Sequence, residues 1–182
     1  TRQAGVAQLA FIKCDQIVTS LTLASELDTI RGTAGALIRT PNGLGSFGKP
    51  NTTDAQIGCK ERVITEKTLT LTFKTYKYDN ETFTDADFMC QLNDSFNAYR
   101  LIWLGCDGNL YFTNAYTSGT NPGFAMDLLT SWDDNPENGL MSKNFEITID
   151  IIETCYSIIK PSAALIAAIF QGQANTSGGS GL

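Results

Sequence analysis

A strict two-residue alternation recurs at widely separated places in this chain and constrains its fold more than any other feature. In Thr68-Leu-Thr-Leu-Thr-Phe-Lys-Thr-Tyr76 the apolar Leu69, Leu71 and Phe73 alternate with Thr68, Thr70 and Thr72. From Phe145 to Glu153 the apolar Phe145, Ile147, Ile149 and Ile151 alternate with Glu146, Thr148 and Asp150. Successive side chains of a strand point to opposite faces, so each run buries one face and wets the other, as antiparallel sheet does. Threonine is β-branched and suits the outer face. Val6 to Lys13 and Gln16 to Ala24 read as two further strands around a Cys-Asp turn. Leu101 to Cys106 and Asn109 to Thr113 read as a hairpin about Asp107-Gly108, because Asp-Gly adopts the positive φ of a type I′ turn.

Helical signals are few. Ser25 to Ile30 can form one turn capped by Ser25. In Asp85 to about Tyr99, Thr84 and Asp87 resemble a capping box, while Phe88, Leu92, Phe96 and Tyr99 share a face. Lys160-Pro161-Ser162 opens a helix over Ala163 to Phe170 that is apolar nearly all round and must be covered by something. Phe124 to Trp132 suits a strand or a short helix. The expected fold is therefore mainly β: an antiparallel sandwich or barrel with one flanking helix, a long loop or arm and a short C-terminal helix.

A length of 182 residues suits one domain. Residues 1–159 form the β-rich unit, 160–172 an apolar C-terminal helix or arm, and 173–182 a tail that is flexible by composition. Within the first unit, residues 31–61 hold six glycines and two prolines with little periodicity, which reads as an extended loop. Its apolar residues Leu37, Ile38, Leu44 and Phe47 mark it as an arm that orders against a neighbouring subunit. Leu165, Ile166, Ile169 and Phe170 of the C-terminal helix complete the candidate oligomer interface.

The chain has no histidine, and its thirteen Lys and Arg against nineteen Asp and Glu leave a net charge of −6. Without histidine, Ser-His-Asp and Cys-His catalysis, HExxH proteases and His-containing zinc sites drop out. The acidic balance, with no basic run, argues against nucleic acid or anionic membrane as a partner. The expectation is a protein that is not an enzyme and carries no catalytic residue, cofactor or metal. Asp133 to Gly139 departs from the calcium-loop pattern, with Asn138 in place of Gly and Asn144 in place of Glu. Gly43 to Gly48 matches a loose GxGxxG, but Lys49-Pro50 cannot open the helix that would bind phosphate. Asp150 with Glu153, and Asp85 with Asp87, read as a strand's outer face and a helix start. The five cysteines, Cys14, Cys59, Cys90, Cys106 and Cys155, form no CxxC pair. All except Cys59 stand beside apolar residues and read as buried thiols of a reducing compartment.

The paired strands Leu9 to Ala24, the loop Arg31 to Glu61, the strand Thr68 to Tyr76, the helix near Asp85 to Tyr99, the Asp107-Gly108 hairpin and the strand Phe145 to Glu153 form a recognisable layout. It resembles that of bacteriophage tail tube and related virion structural proteins, over about residues 6 to 155. The apolar segment after Lys160 departs from it. The resemblance implies a sandwich or barrel flanked by a helix, subunits stacked in rings, a long loop reaching the adjacent subunit, and an acidic lumen through which DNA slides. Function is then expected as self-assembly in a phage virion, built in the bacterial host cytoplasm, with copies of itself and other virion proteins as partners. The alternative is a β-sandwich binding module for carbohydrate or a protein partner, with Trp103, Tyr111, Phe112, Tyr116 and Trp132 as an aromatic platform.

Overall fold

The computed structural model describes residues 5–22, 24–33, 36–40, 42–59, 61–75, 96–134, 142–151 and 155–170. The fold is mainly β. Its strands are β1 (Val6–Lys13), β2 (Leu37–Arg39), β3 (Leu44–Phe47), β4 (Asn51–Ile57), β5 (Glu61–Thr75), β6 (Tyr99–Gly105), β7 (Leu110–Thr113), β8 (Phe124–Asp134), β9 (Ser142–Asp150) and β10 (Tyr156–Ile159). The helices are α1 (Ala24–Gly32) and α2 (Ala163–Ile169), with a short 3-10 turn at Phe96–Ala98.

Every strand pairing is antiparallel, and six strands close on themselves in the order β6-β8-β9-β5-β3-β1. Full closure removes sheet edges, which is how a barrel limits uncontrolled pairing. The interior holds Leu9, Phe11, Leu71, Phe73, Trp103, Phe145, Ile147 and Ile149, all buried. Trp103 stacks on Tyr111 with centroids 5.4 Å apart and planes 10° apart, and Phe47 meets both rings edge-on or tilted at 5.5 Å.

A second apolar layer lies outside the barrel. Ala10 and Ile12 of β1, Leu37 of β2, Ile102 of β6, and Leu110 and Phe112 of β7 face Leu27 and Ile30 of α1 and Leu165, Ala168 and Ile169 of α2. Strands β1, β2, β6 and β7 are thus apolar on both faces, which is why their sequences run apolar without clean alternation. β5 and β9 face the core on one side only, and they alternate.

Helix α2 starts as the sequence predicts, with Ser162 accepting the Leu165 N–H at 3.2 Å. Its other end is tied to the body. Arg31 donates to the carbonyls of Ala167 and Ala168 at 2.9 and 3.1 Å, and Gln8 to that of Phe170 at 2.8 Å, so the orphan carbonyls of its last turn find partners.

Three expectations change, and a fourth is left untouched. Gln16 to Ala24 is not a strand: only Val18 makes an isolated bridge, to Thr120. The Glu26 carboxylate accepts the N–H groups of Thr19 and Ser20 at 2.8 and 3.2 Å, folding that segment back over the start of α1. Residues 31–61 are not a loop; they end α1 and then supply β2, β3 and β4. The Asp107-Gly108 hairpin forms, but Gly108, at φ 81°, donates to the Gly105 carbonyl, and Gly105 donates to that of Asn109. This is a three-residue connection in which only glycine takes positive φ, rather than a type I′ turn. The helix expected from Asp85 falls on residues 85–95, outside the described residues, and Tyr99 opens β6 instead.

Gly45 explains how β3 fits between β1 and β5. It pairs with Val6 on one side and Phe73 on the other, and a Cβ there would collide with the Thr72 carbonyl oxygen and the Phe73 backbone. Gly48, three residues on, faces open space. Gly45→Ala is expected to destabilise the fold by about 1–3 kcal/mol, as overpacking does. Gly48→Ala should stay within about 0.5 kcal/mol of the parent. Urea denaturation midpoints measure both.

Candidate interaction surface

The sequence-predicted interface residues separate into two groups. Leu37, Ile38, Leu165, Ile169 and Phe170 are each no more than 3% exposed inside their own chain, so they are core rather than contact surface. Ile166 and Phe47 are half-buried, packed against the helix layer and the barrel core respectively. Leu44 alone is open, at 70% exposure. The cover demanded by the apolar C-terminal helix comes from α1 and the outer faces of β1, β6 and β7, not from a second chain.

The arm lies further along. β3 and β4, interrupted at Gly48-Lys49-Pro50, pair in succession with one edge of the 15-residue β5. The half of β5 from Thr68 to Thr75 also pairs with β9 and belongs to the barrel. Its other half, before Thr68, pairs with β4 alone and leaves the barrel as a two-stranded ribbon. All seven residues of β4 are exposed, as are Arg62 to Glu66 on β5. At about 3.4 Å per residue, the ribbon projects roughly 20 Å. It carries three exposed apolar side chains, Ile57 at 55%, Val63 at 46% and Ile64 at 49%. Ala55 stands opposite Val63 and Ile57 is paired with Glu61 on one face of the ribbon, while Ile64 stands opposite Asp54 on the other, so the exposed apolar side chains are divided between the two faces. The other face has the Arg62–Asp54 ion pair at 3.1 Å, too exposed to add much stability.

A second open surface is the outer face of β8 and β9. The helices cover the opposite side of the barrel, and here Leu128 and Trp132 of β8 remain 52% and 42% exposed. Leu128 stands opposite Thr148 and Trp132 opposite Asn144, with Glu146 and Asp150 on the same outer face of β9. An irregularity between Met126 and Leu128 turns Asp127 outward beside them. Burial raises the pKa of Asp127, with further contributions from the charges of Asp150 and Glu66. The strands therefore gather like charge here.

Charge is partitioned along the chain and around the barrel. Residues 31–78 carry eight Lys and Arg against three Asp and Glu, whereas residues 79–159 carry two against thirteen. The first stretch supplies β2 to β5 and the second β6 to β10, and the closed order keeps β3 and β5 adjacent on one side and β6, β8 and β9 together on the other. This asymmetry was present in the sequence as a signal for the acidic face, but not for the ribbon, where Asp54, Glu61 and Glu66 balance Lys60, Arg62 and Lys67. The exposed apolar residues Val63, Ile64 and Leu128 had no such signal, because each stands in a run that also reads as an ordinary strand.

The aromatic platform does not assemble as drawn. Trp103, Tyr111 and Phe112 are buried, Tyr116 is half-buried and donates its hydroxyl to the Val18 carbonyl at 2.8 Å, and Trp132 stands apart on β8. The thiols also differ from expectation. Cys106 and Cys155 are exposed at strand ends, as is Cys59 at the ribbon tip, and Cys14 is half-buried; Cys90 lies outside the described residues. Asp150 is exposed on β9, while Glu153 and the Asp85/Asp87 pair lie outside the described residues, as does Gly139 with most of the acidic loop before it. Among the described residues no group of three or more Cys, Asp or Glu is placed to hold a metal ion, and no helix is long and apolar enough to cross a membrane. No known family model matches the sequence, and no curated protein sequence does.

The two groups of leucines give a direct check. Leu165→Ala is expected to cost about 2–5 kcal/mol of stability as a core truncation. Leu44→Ala should change it by less than about 0.5 kcal/mol. Chemical denaturation reads both. Acrylamide should quench Trp132 and leave Trp103 dark to it, so that Trp132→Phe removes nearly all of the quenchable emission.

Proposed function

We propose that this chain is a self-assembling structural subunit of a phage virion or phage-tail-like particle, tail tube-like in organisation, with copies of itself as its principal partners and no catalytic role. The observation that carries this reading is the β4–β5 ribbon. A two-stranded ribbon with neither face packed is marginal in water. Here Ile57, Val63 and Ile64 stand half-exposed on it. Covering the remainder of each would yield on the order of 1 kcal/mol. A ribbon of that kind gains its stability in contact with another surface.

Other features support the same reading. The outer face of β8 and β9 adds a second exposed apolar patch, Leu128 and Trp132, so each copy carries two unlike surfaces. Unlike surfaces join copies head to tail and generate rings or filaments. The net charge of −6 suits a conduit that must pass DNA without holding it. In this reading the subunit is made in the bacterial cytoplasm, enters the virion, and can also meet other virion proteins through surfaces exposed at the ends of a stack.

The experiment is a ribbon truncation. Thr52 and Lys67 are paired across the ribbon base. Residues 53–66 are therefore replaced by an Asn-Gly turn, which joins paired strand residues directly. The parent is expected to form large regular particles in negative-stain images and by light scattering. The truncated chain should stay monomeric while keeping the parent's circular dichroism. Particles from the truncated chain, or a strictly monomeric parent, would overturn the reading.

A further inference from the structure

The outer face of β8 and β9 continues over β5 and β3, and its side chains fall into rows set by the strand register. Leu44, Lys74, Asn144 and Trp132 are paired in succession across the four strands and form one row. Two residues along each strand, Ser46, Thr72, Glu146 and Thr130 form the next. Neighbouring strands lie about 4.8 Å apart, so this second row is a band roughly 14 Å long that crosses them. Its side chains are short, three hydroxyls and one carboxylate, and all four are exposed. The first row bounds it on one flank, ending in Leu44 at 70% exposure and Trp132 at 42%, and Leu128 at 52% stands on the other. The face therefore carries a shallow trough with a hydroxyl floor and an aromatic wall.

Small polar residues are ordinary on a sheet face, and Asn144 sets this one apart. Its side chain is 8% exposed, and its Nδ2 has no hydrogen-bond partner. Buried polar groups are nearly always paired, and a donor left without an acceptor costs stability. The amide stands at the edge of the trough, between Lys74 and Trp132 across the sheet and two residues from Glu146 along β9. An acceptor brought from outside the chain would remove the deficit.

The groups around the trough fix the chemistry of such a partner. The Trp132 indole offers a flat face to apolar C–H surface. Glu146 accepts hydrogen bonds, the Asn144 amide donates them, and the hydroxyls of Ser46, Thr72 and Thr130 do both. A sugar presents C–H groups on one side of its ring and hydroxyls around the rim, which answers each of these. Glu146 on the floor, with Asp127 and Asp150 exposed beyond Leu128 and Thr148, repels an anionic one.

We propose that the trough binds an uncharged oligosaccharide laid across β3, β5, β9 and β8. One sugar ring stacks on Trp132, one hydroxyl accepts from Asn144 Nδ2, and another donates to Glu146. The indole turns outward to meet the ring and opens the amide beside it. No ribbon residue takes part, so the site goes beyond self-assembly and does not rest on it.

Cellohexaose, maltohexaose and chitohexaose are titrated into the full chain, with hexagalacturonate as the anionic control, and binding is followed by calorimetry and Trp132 emission. At least one neutral chain is expected to bind with a Kd below about 1 mM and to blue-shift that emission. The control should bind roughly tenfold more weakly. Trp132→Ala, at an exposed position, should keep the parent's circular dichroism and weaken binding roughly tenfold. Asn144→Leu should weaken it to a similar degree while leaving the urea midpoint unchanged or higher, because it removes an unpaired donor. An Asn144 that serves only the fold would give the opposite pair of results. No binding by any of the three neutral chains, binding that survives Trp132→Ala, or an Asn144→Leu protein that loses stability and keeps its affinity overturns the site. Each of these leaves self-assembly standing if the parent forms particles, and a monomeric parent that binds sugar removes self-assembly alone.

Discussion

The pairing of β1 with β6 is the interaction on which the rest of this structure depends. It spans seven residue pairs, from Val6 with Gly105 to Lys13 with Tyr99, and joins parts of the chain some ninety residues apart. It closes the barrel, so that Leu9, Phe11 and Trp103 face an interior that has no open side. It also places Ala10, Ile12 and Ile102 side by side on the reverse face, forming the floor on which α1 and α2 lie. Both apolar layers share these two strands. Loss of this pairing would open the barrel and strip the helices of their support together, so the two layers form one cooperative unit rather than two domains. Contacts this distant along the chain also make for slow folding, because loop closure must precede their reward.

The elements readable from the sequence were those whose environment differs between faces. β5 and β9 alternate because one side meets the barrel core and the other meets water. The Asp107-Gly108 hairpin was readable because only glycine takes its positive φ without cost, although the turn type was not. The helix after Pro161 was readable from its cap and composition, and its burial partners were not. The segment from Arg31 to Glu61 was unreadable for three separate reasons. β2 is three residues long, too short to show a period; β3 is spaced by a glycine that backbone crowding requires; and β4 has solvent on both sides, so no face of it needs to be apolar. Glycine and polar residues there reflect tight packing and full exposure, two opposite situations that look alike in composition.

The candidate surface was legible in outline and displaced in detail. An arm within residues 31–61 exists, but it is the part after Pro50 joined to the start of β5, not the apolar part around Leu37. Leu37 and Ile38 were singled out because they are apolar in a glycine-rich setting, and that same property places them in the core. An interface residue must be apolar and also left uncovered by its own chain, and only the second condition requires a structure. Ile57 and Val63 meet both conditions. Leu165 and Ile169 meet only the first, because α1 and the barrel reach them before any neighbour can.

β5 runs without a break from the barrel into the ribbon, and this has a mechanical consequence. A pull on the ribbon acts along the axis of a strand whose Thr68 to Thr75 half is zipped to β9 by eight consecutive residue pairs and flanked by β3 on its other edge. Antiparallel hydrogen bonds lie across the strand direction. A force along β5 therefore shears all of them at once instead of peeling them one by one. A pull on the ribbon would pass through a single covalent backbone into the barrel sheet, past the one irregularity in its pairing with β4, between Thr53 and Asp54.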